Sequence, residues 1–242
     1  MINNVIAASP RKAARVAAIW YVLVSVFSIF GMLYSDSRFY VAGDAAATAD
    51  RILAEGRLFR LGITSTLAGQ VCQIFAGLAL YRLFESVNRN RAKSLLALVV
   101  AMVPIAFLNM LNMFAPLILL GDAAFLKAFE PAQLQAVAML FFELQKYGVL
   151  IAGVFWGLWL FPLGLLVFES GFFPKFLGVL LVIGCVGYIL ESLSAFVFPD
   201  AGPLVSTIAN ALAVGGELPF LLWLAIRGAR NRTQSNPAPE PV

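Results

Sequence analysis

Glu191 and Glu217 are carboxylates placed inside long apolar runs. A charged side chain at such a position is costly, so each needs a partner, a proton or a function. Other polar side chains stand in similar surroundings. Gln70 and Gln73 are three residues apart, as are Asn109 and Asn112, and residues three apart share one face of a helix. Tyr188 and Asn210 complete the set. Together these eight residues suit a polar pocket between membrane helices that receives a small solute, a lipid headgroup or a proton. A second group, Arg57, Arg60, Glu143, Lys146 and Tyr147, falls at the ends of apolar runs. Two guanidinium groups there are fitted to a lipid phosphate or an anionic substrate. Each group also has a structural explanation. The amides serve as interhelical glue, the glutamates as protonated or hydrogen-bonded core residues, and the arginines as partners of Asp50, Glu55 or Glu143.

The remaining composition narrows the chemistry. The 242 residues include no histidine and two cysteines. Histidine-ligated haem and zinc, Ser-His-Asp triads and Cys-His dyads are therefore excluded. Cys72 and Cys185 both lie in apolar runs, which argues against a disulfide framework. No nucleophile elbow, phosphate loop, dinucleotide fingerprint, CxxC or HExxH is present. No cofactor or metal is expected, and no soluble-enzyme signature points to a reaction, which leaves an intramembrane enzyme as a lower-ranked alternative.

Positioning these groups requires a membrane bundle. The chain is 61% hydrophobic and 12% charged, with a mean hydropathy of +0.89. Six runs reach the length of about 20 residues needed to cross a bilayer: 16–34, 61–84, 94–120, 147–168, 176–198 and 204–226. The first is too long for a signal peptide and lacks a cleavage site. The expected class is an all-α integral membrane protein with six transmembrane helices and short surface helices in the outer loops. It divides into a cytoplasmic segment (1–12), a six-span domain (13–228) and a disordered cytoplasmic tail (229–242). Eleven of the 17 basic residues fall on one side, among them Arg11, Lys12, Arg15, Arg89, Arg91 and Lys93. By the positive-inside rule that side, with both termini, is cytoplasmic. The basic residues are scattered, so nucleic acid is not an expected partner. Counting about 1.5 Å per residue puts Glu191 and Asn210 roughly 9–11 Å below the outer boundary and Glu217 about 20 Å below it. Polar groups thus occupy the outer half to middle of the spans, implying a pocket that opens outward.

The loops carry local signals. Asp44 is a good N-cap for a helix over 45–55, with Gly56 at C′ and an Arg51–Glu55 pair at i,i+4. Pro131 suits N1 of a helix. A helix from there to Phe168 would measure about 57 Å, so its first part projects outward or folds over the surface. Gly153 and Gly157 form a GxxxG, and Ala68, Cys72 and Ala76 a small-residue stripe, both suited to close packing within one chain. Three spans per half would permit an inverted repeat, although the residues do not align. Pro104, Pro116, Pro162 and Pro219 lie within spans, as prolines commonly do in membrane helices. Asn231 begins a glycosylation sequon on the expected cytoplasmic side, where it would be a chance match.

Several strings in order carry a family resemblance: Gly43-Asp-Ala-Ala-Ala-Thr-Ala49, Leu58-Phe-Arg-Leu-Gly62, Ala79-Leu-Tyr-Arg-Leu83, Val87-Asn-Arg-Asn90, Asn109-Met-Leu-Asn112, Leu134-Gln-Ala136, Tyr147-Gly148, Phe155-Trp-Gly157, Pro174-Lys-Phe-Leu-Gly178 and Gly187-Tyr188. Over roughly residues 12–228 the chain resembles the bacterial membrane family called domain of unknown function 4386. The resemblance implies a six-span inner-membrane protein and assigns no reaction, substrate or cofactor. Members often carry histidine before the Tyr-Gly, where this chain has Lys146. A histidine-dependent role in relatives would not carry over.

Three functions follow from these features. The leading one is a non-catalytic accessory or structural membrane protein. The alternative is small-solute or lipid binding or transport through the outward-opening pocket. Third comes an intramembrane lipid-modifying enzyme, with Arg57 and Arg60 on phosphate and a glutamate as acid or base. The last lacks a DDxxD-type carboxylate pair. The bilayer is the expected partner, and the sequence does not specify an oligomer.

Overall fold

The computed structural model describes residues 9–198 and 203–230. The Asn231 sequon, the charges Asp200, Arg232 and Glu240, and the tail beyond Arg230 lie outside the described residues. All regular structure among the described residues is helical: α1 (Pro10–Ser28), a π-helical stretch (Ile29–Ser35), α2 (Asp36–Phe39), α3 (Ala45–Ala54), α4 (Gly56–Phe84), α5 (Arg89–Asn109), α6 (Leu111–Leu119), a 3₁₀ turn (Ala124–Ala128), α7 (Pro131–Ser170), α8 (Lys175–Val197) and α9 (Pro203–Ile226). Six segments are long and apolar enough to cross a membrane, with α1 to α2 and α5 with α6 each counting as one. The expected six-span, all-α class is what the chain adopts.

The helix ends follow their capping residues. Asp44 caps α3 by accepting from the Ala47 amide at 2.8 Å, and Asn88 caps α5 by accepting from Arg91 at 3.1 Å. Pro131 opens α7 at N1, where a missing N–H costs nothing. Glu130 and Gln133 close a capping box around it, a signal the sequence analysis did not use. Gly171, with φ of 67°, ends α7 in the left-handed conformation that glycine adopts without penalty. The intervening 40 residues form one helix of about 60 Å. It packs against α3 and α6, with Thr48 of α3 3.9 Å from the Met139 sulfur, so the part before the 147–168 run continues straight into it as one helix.

Three local expectations are corrected. Glu55 does not pair with Arg51. It forms a two-point ion pair with Arg38, at 2.8 Å to Nε and 2.5 Å to Nη2, while Arg51 donates to the Arg38 carbonyl at 3.0 Å. A guanidinium fork matched to both carboxylate oxygens outweighs a single contact along one helix. Gly56 is not a left-handed terminator: α3 stops at Glu55 and Gly56 opens α4. The third span is interrupted at Met110, between α5 and α6.

Glycines set the tightest helix contacts. A Cβ on Gly157 of α7 would stand 2.9 Å from the Cys185 carbonyl of α8, and one on Gly153 3.1 Å from Ser192 Oγ. The GxxxG therefore serves packing within the chain. Gly184 and Gly187 of α8 likewise meet Ala213 and Gly216 of α9 backbone to backbone. The main core joins α1, α4, α5, α7, α8 and α9 around Leu80, Leu95, Leu160, Leu163 and Phe220, all fully buried. A smaller aromatic cluster of Phe39, Phe59 and Phe142 fixes α2 over α4 and α7. Ala229 and Arg230, read from sequence as the start of the tail, dock on the α7–α8 connection, where the Arg230 amide donates to the Phe172 carbonyl at 3.0 Å.

Candidate functional site

A cavity of about 470 Å³ lies between α1, α4, α5, α7, α8 and α9. Glu217 of α9 stands in its wall. Tyr21 of α1 donates its hydroxyl to Glu217 Oε1, and Tyr188 of α8 donates to Oε2 at 3.0 Å. The glycine packing of α8 on α9 is what brings Tyr188 this close, since Gly187 leaves room for the Ala213 backbone one residue before it. Tyr21 is buried and rests edge-on against Trp159, with centroids 5.6 Å apart. Tyr188 sits edge-on to Trp156 at 6.4 Å. From α4, Gln70 and Gln73 reach the same cavity; they are only 5% and 6% exposed. Gln70 Oε1 and Gln73 Nε2 have no hydrogen-bond partner among the described residues, which is uncommon for buried amide atoms. Ser25 and Ser28 add hydroxyls from α1. Ile29, Val214 and Leu218 also line the cavity and are exposed on the outside of the bundle. The rim between the π-helical stretch and α9 is therefore apolar.

Of the eight pocket candidates, Gln70, Gln73, Tyr188 and Glu217 meet at this cavity. The other four form two separate pairs. Asn109 donates to the Gln145 carbonyl of α7 at 3.0 Å, and Asn112 donates to Asn109 Oδ1 at 2.9 Å. They brace the interruption at Met110 against α7, with the Asn109 carboxamide in the space over Gly148. Asn210 Nδ2 donates to Glu191 Oε1 at 2.8 Å, joining α8 to α9 nearer their connection.

The five mouth candidates divide as well. Glu143 accepts from Tyr40 at 2.5 Å and from Lys146 at 3.1 Å, and the Lys146 ammonium lies 3.5 Å from the Tyr40 ring centroid. Tyr147 is exposed. Arg57 and Arg60 are exposed and make no ion pair among the described residues, because Glu55 and Glu143 are engaged elsewhere. The guanidinium of Arg38 beside Glu55 holds that carboxyl below the usual carboxylate range. Among the described residues, no group of three His, Cys, Asp or Glu side chains is placed to hold a metal ion.

Sequence reasoning missed Tyr21, Ser25, Ser28, Trp156 and Trp159. A signal existed for the first three: Tyr21, Ser25 and Ser28 recur at i, i+4 and i+7, a polar stripe along one face of an apolar helix.

A six-span helical membrane protein with a polar-floored cavity inside the bundle is the class these features define. The chain belongs to the family described as Domain of unknown function (DUF4386), whose model matches residues 16–228. It is also similar to an uncharacterised protein of the archaeon Archaeoglobus fulgidus, at 37% identity over 90 residues. That match covers 35% of this chain and 49% of the relative, so it spans about half of the relative's length. No solved structure matches the chain.

Proposed function

We propose that this protein binds a small amphipathic molecule inside the membrane, in the cavity between α1 and α9. One observation carries this reading. A 470 Å³ space is walled mainly by apolar and aromatic side chains, yet Glu217 and the amide residues Gln70 and Gln73 are part of its lining. Ligand sites combine these ingredients: apolar walls of a few hundred Å³ and a few convergent polar groups. A purely structural bundle would be expected to fill the space, because close packing is the rule and voids are destabilising. The exposed apolar rim at Ile29, Val214 and Leu218 favours entry sideways from the lipid over entry from an aqueous surface. The same reading puts the chain in a bacterial cytoplasmic membrane with both termini cytoplasmic, supported by the uneven distribution of basic residues.

The test is thermal stabilisation of the purified protein by a library of small amphiphiles, since a ligand of the native state raises the melting point by mass action. Wild type is compared with Val24→Trp, which fills the cavity from α1. Stabilisation of wild type that disappears in a normally folded Val24→Trp supports the site. No stabilisation by any compound, or equal stabilisation of both proteins, overturns it.

A further inference from the structure

We propose that the cavity takes a small hydrophobic organic cation, with its ammonium group against the Glu217 carboxylate and its apolar body between the aromatic walls. This rests on the reading of the cavity as a ligand site and adds the charge of the ligand.

Glu217 accepts a hydroxyl hydrogen bond on each of its two oxygens, from Tyr21 and from Tyr188. Two hydroxyl donors suit an ionised carboxylate, which accepts on both oxygens. No cation answers this charge among the described residues. The groups that face Glu217 are Tyr21 from α1 and Tyr188 from α8, with Glu191 one turn beyond Tyr188. From α4 come the neutral Gln70 and Gln73, from α5 Met102, and from α7 Trp156 and Trp159. No lysine or arginine lines the cavity. A carboxylate within a membrane span is stabilised by an opposite charge, and here the opposite charge is left for the occupant to bring.

The surroundings favour a cation of organic size. Tryptophan and tyrosine faces attract ammonium groups through the negative face of the ring, and the attraction grows in a desolvated site. Two of each line this cavity. Gln70 and Gln73 add two neutral amide side chains to the lining, so α4 brings no positive charge that would compete with an ammonium group. The volume exceeds what an inorganic ion needs and falls within the range of about 300–1,000 Å³ typical of small-molecule sites. An anion would meet the Glu217 charge, and a neutral molecule would leave it unanswered.

The experiment uses three probes of one shape: phenylbutylammonium, phenylbutanol and phenylbutyrate. Binding is measured by thermal stabilisation of the full chain in lipid nanodiscs, for wild type, Glu217→Gln and Val24→Trp. The carboxamide keeps the size of the carboxylate and removes its charge. The expected result is that wild type prefers the ammonium over the alcohol by at least about tenfold, a difference of about 1.4 kcal/mol, and does not bind the carboxylate probe. Glu217→Gln loses that preference, and a cooperative melt of the variant without ligand certifies that it is folded. Equal binding of ammonium and alcohol by wild type, or an unchanged preference in Glu217→Gln, overturns the cation assignment. If that happens while Val24→Trp still abolishes alcohol binding, the cavity reading survives. Binding of none of the probes overturns both.

Discussion

Replacing Gly216 with alanine tests whether α8–α9 contact positions Tyr188 against Glu217. A Cβ at residue 216 would stand 2.5 Å from the Gly184 amide nitrogen and 2.5 Å from the Leu180 carbonyl oxygen. Non-bonded heavy atoms prefer about 3.5 Å or more, so the two helices must part by about 1 Å. The Tyr188–Glu217 hydrogen bond, now 3.0 Å, would stretch to about 4 Å and cease to exist. Overpacking of this kind costs about 1–3 kcal/mol. Losing a hydrogen bond adds about 1 kcal/mol. Gly215→Ala is the control, because nothing lies within 4 Å of a Cβ there. Both variants gain the same helix propensity, so their difference isolates the packing. On the scale of soluble domains of this length, roughly 2–4 °C per kcal/mol, Gly216→Ala should melt at least about 4 °C below Gly215→Ala in detergent. It should also lose most of whatever ligand stabilisation wild type shows. Melting points within about 2 °C of each other would refute the reasoning, since the expected cost is at least 2 kcal/mol.

Three further outcomes follow. The Arg38–Glu55 pair depresses the Glu55 carboxyl, so its stabilisation is present above the ordinary glutamate range and lost as pH falls through the lower folded value. The difference in melting point between wild type and Glu55→Gln should stay constant from about pH 7 to pH 5 and shrink as the pH falls below the ordinary glutamate range; a difference that grows on acidification contradicts this. Gly148→Ala places a methyl on the Asn109 carboxamide and should cost about 1–3 kcal/mol by breaking the Asn109–Gln145 bond. In an Asn109→Ala background it should cost far less, and additivity within about 0.5 kcal/mol would refute the contact. Reporter fusions at Lys93 and Gly121 should report opposite sides of the membrane, with Lys93 cytoplasmic; the reverse would overturn the orientation.

Much of this was legible because the bilayer makes composition decisive. Apolar runs had to be spans, and the depth count put Glu191 and Asn210 at one level, where they bond. The 16–34 run gave no hint of the π-helical stretch at its end, because both helix types share the same apolar composition. Glu217 was conspicuous as a carboxylate in an apolar run, but its partner Tyr21 lies 196 positions away, beyond any spacing rule. Asn109 and Asn112 share a face as their spacing required. That face meets α7 and not the cavity, which depends on helix rotation set by packing. Arg51 and Glu55 misled for the opposite reason: a local spacing rule gave way to a better fork supplied by Arg38.

The 40-residue α7 has one consequence at the scale of the membrane. Exposed apolar side chains recur along it at intervals of three, four and seven residues, through Val137, Leu140, Leu144, Ile151, Leu158, Phe161 and Phe168. From first to last the stripe is about 47 Å long, against a hydrocarbon thickness of about 30 Å. Such hydrophobic mismatch is relieved by tilting the helix or by drawing thicker lipid to that flank. Acyl-chain length is therefore expected to act on the bundle through the helix that holds Trp156 and Trp159.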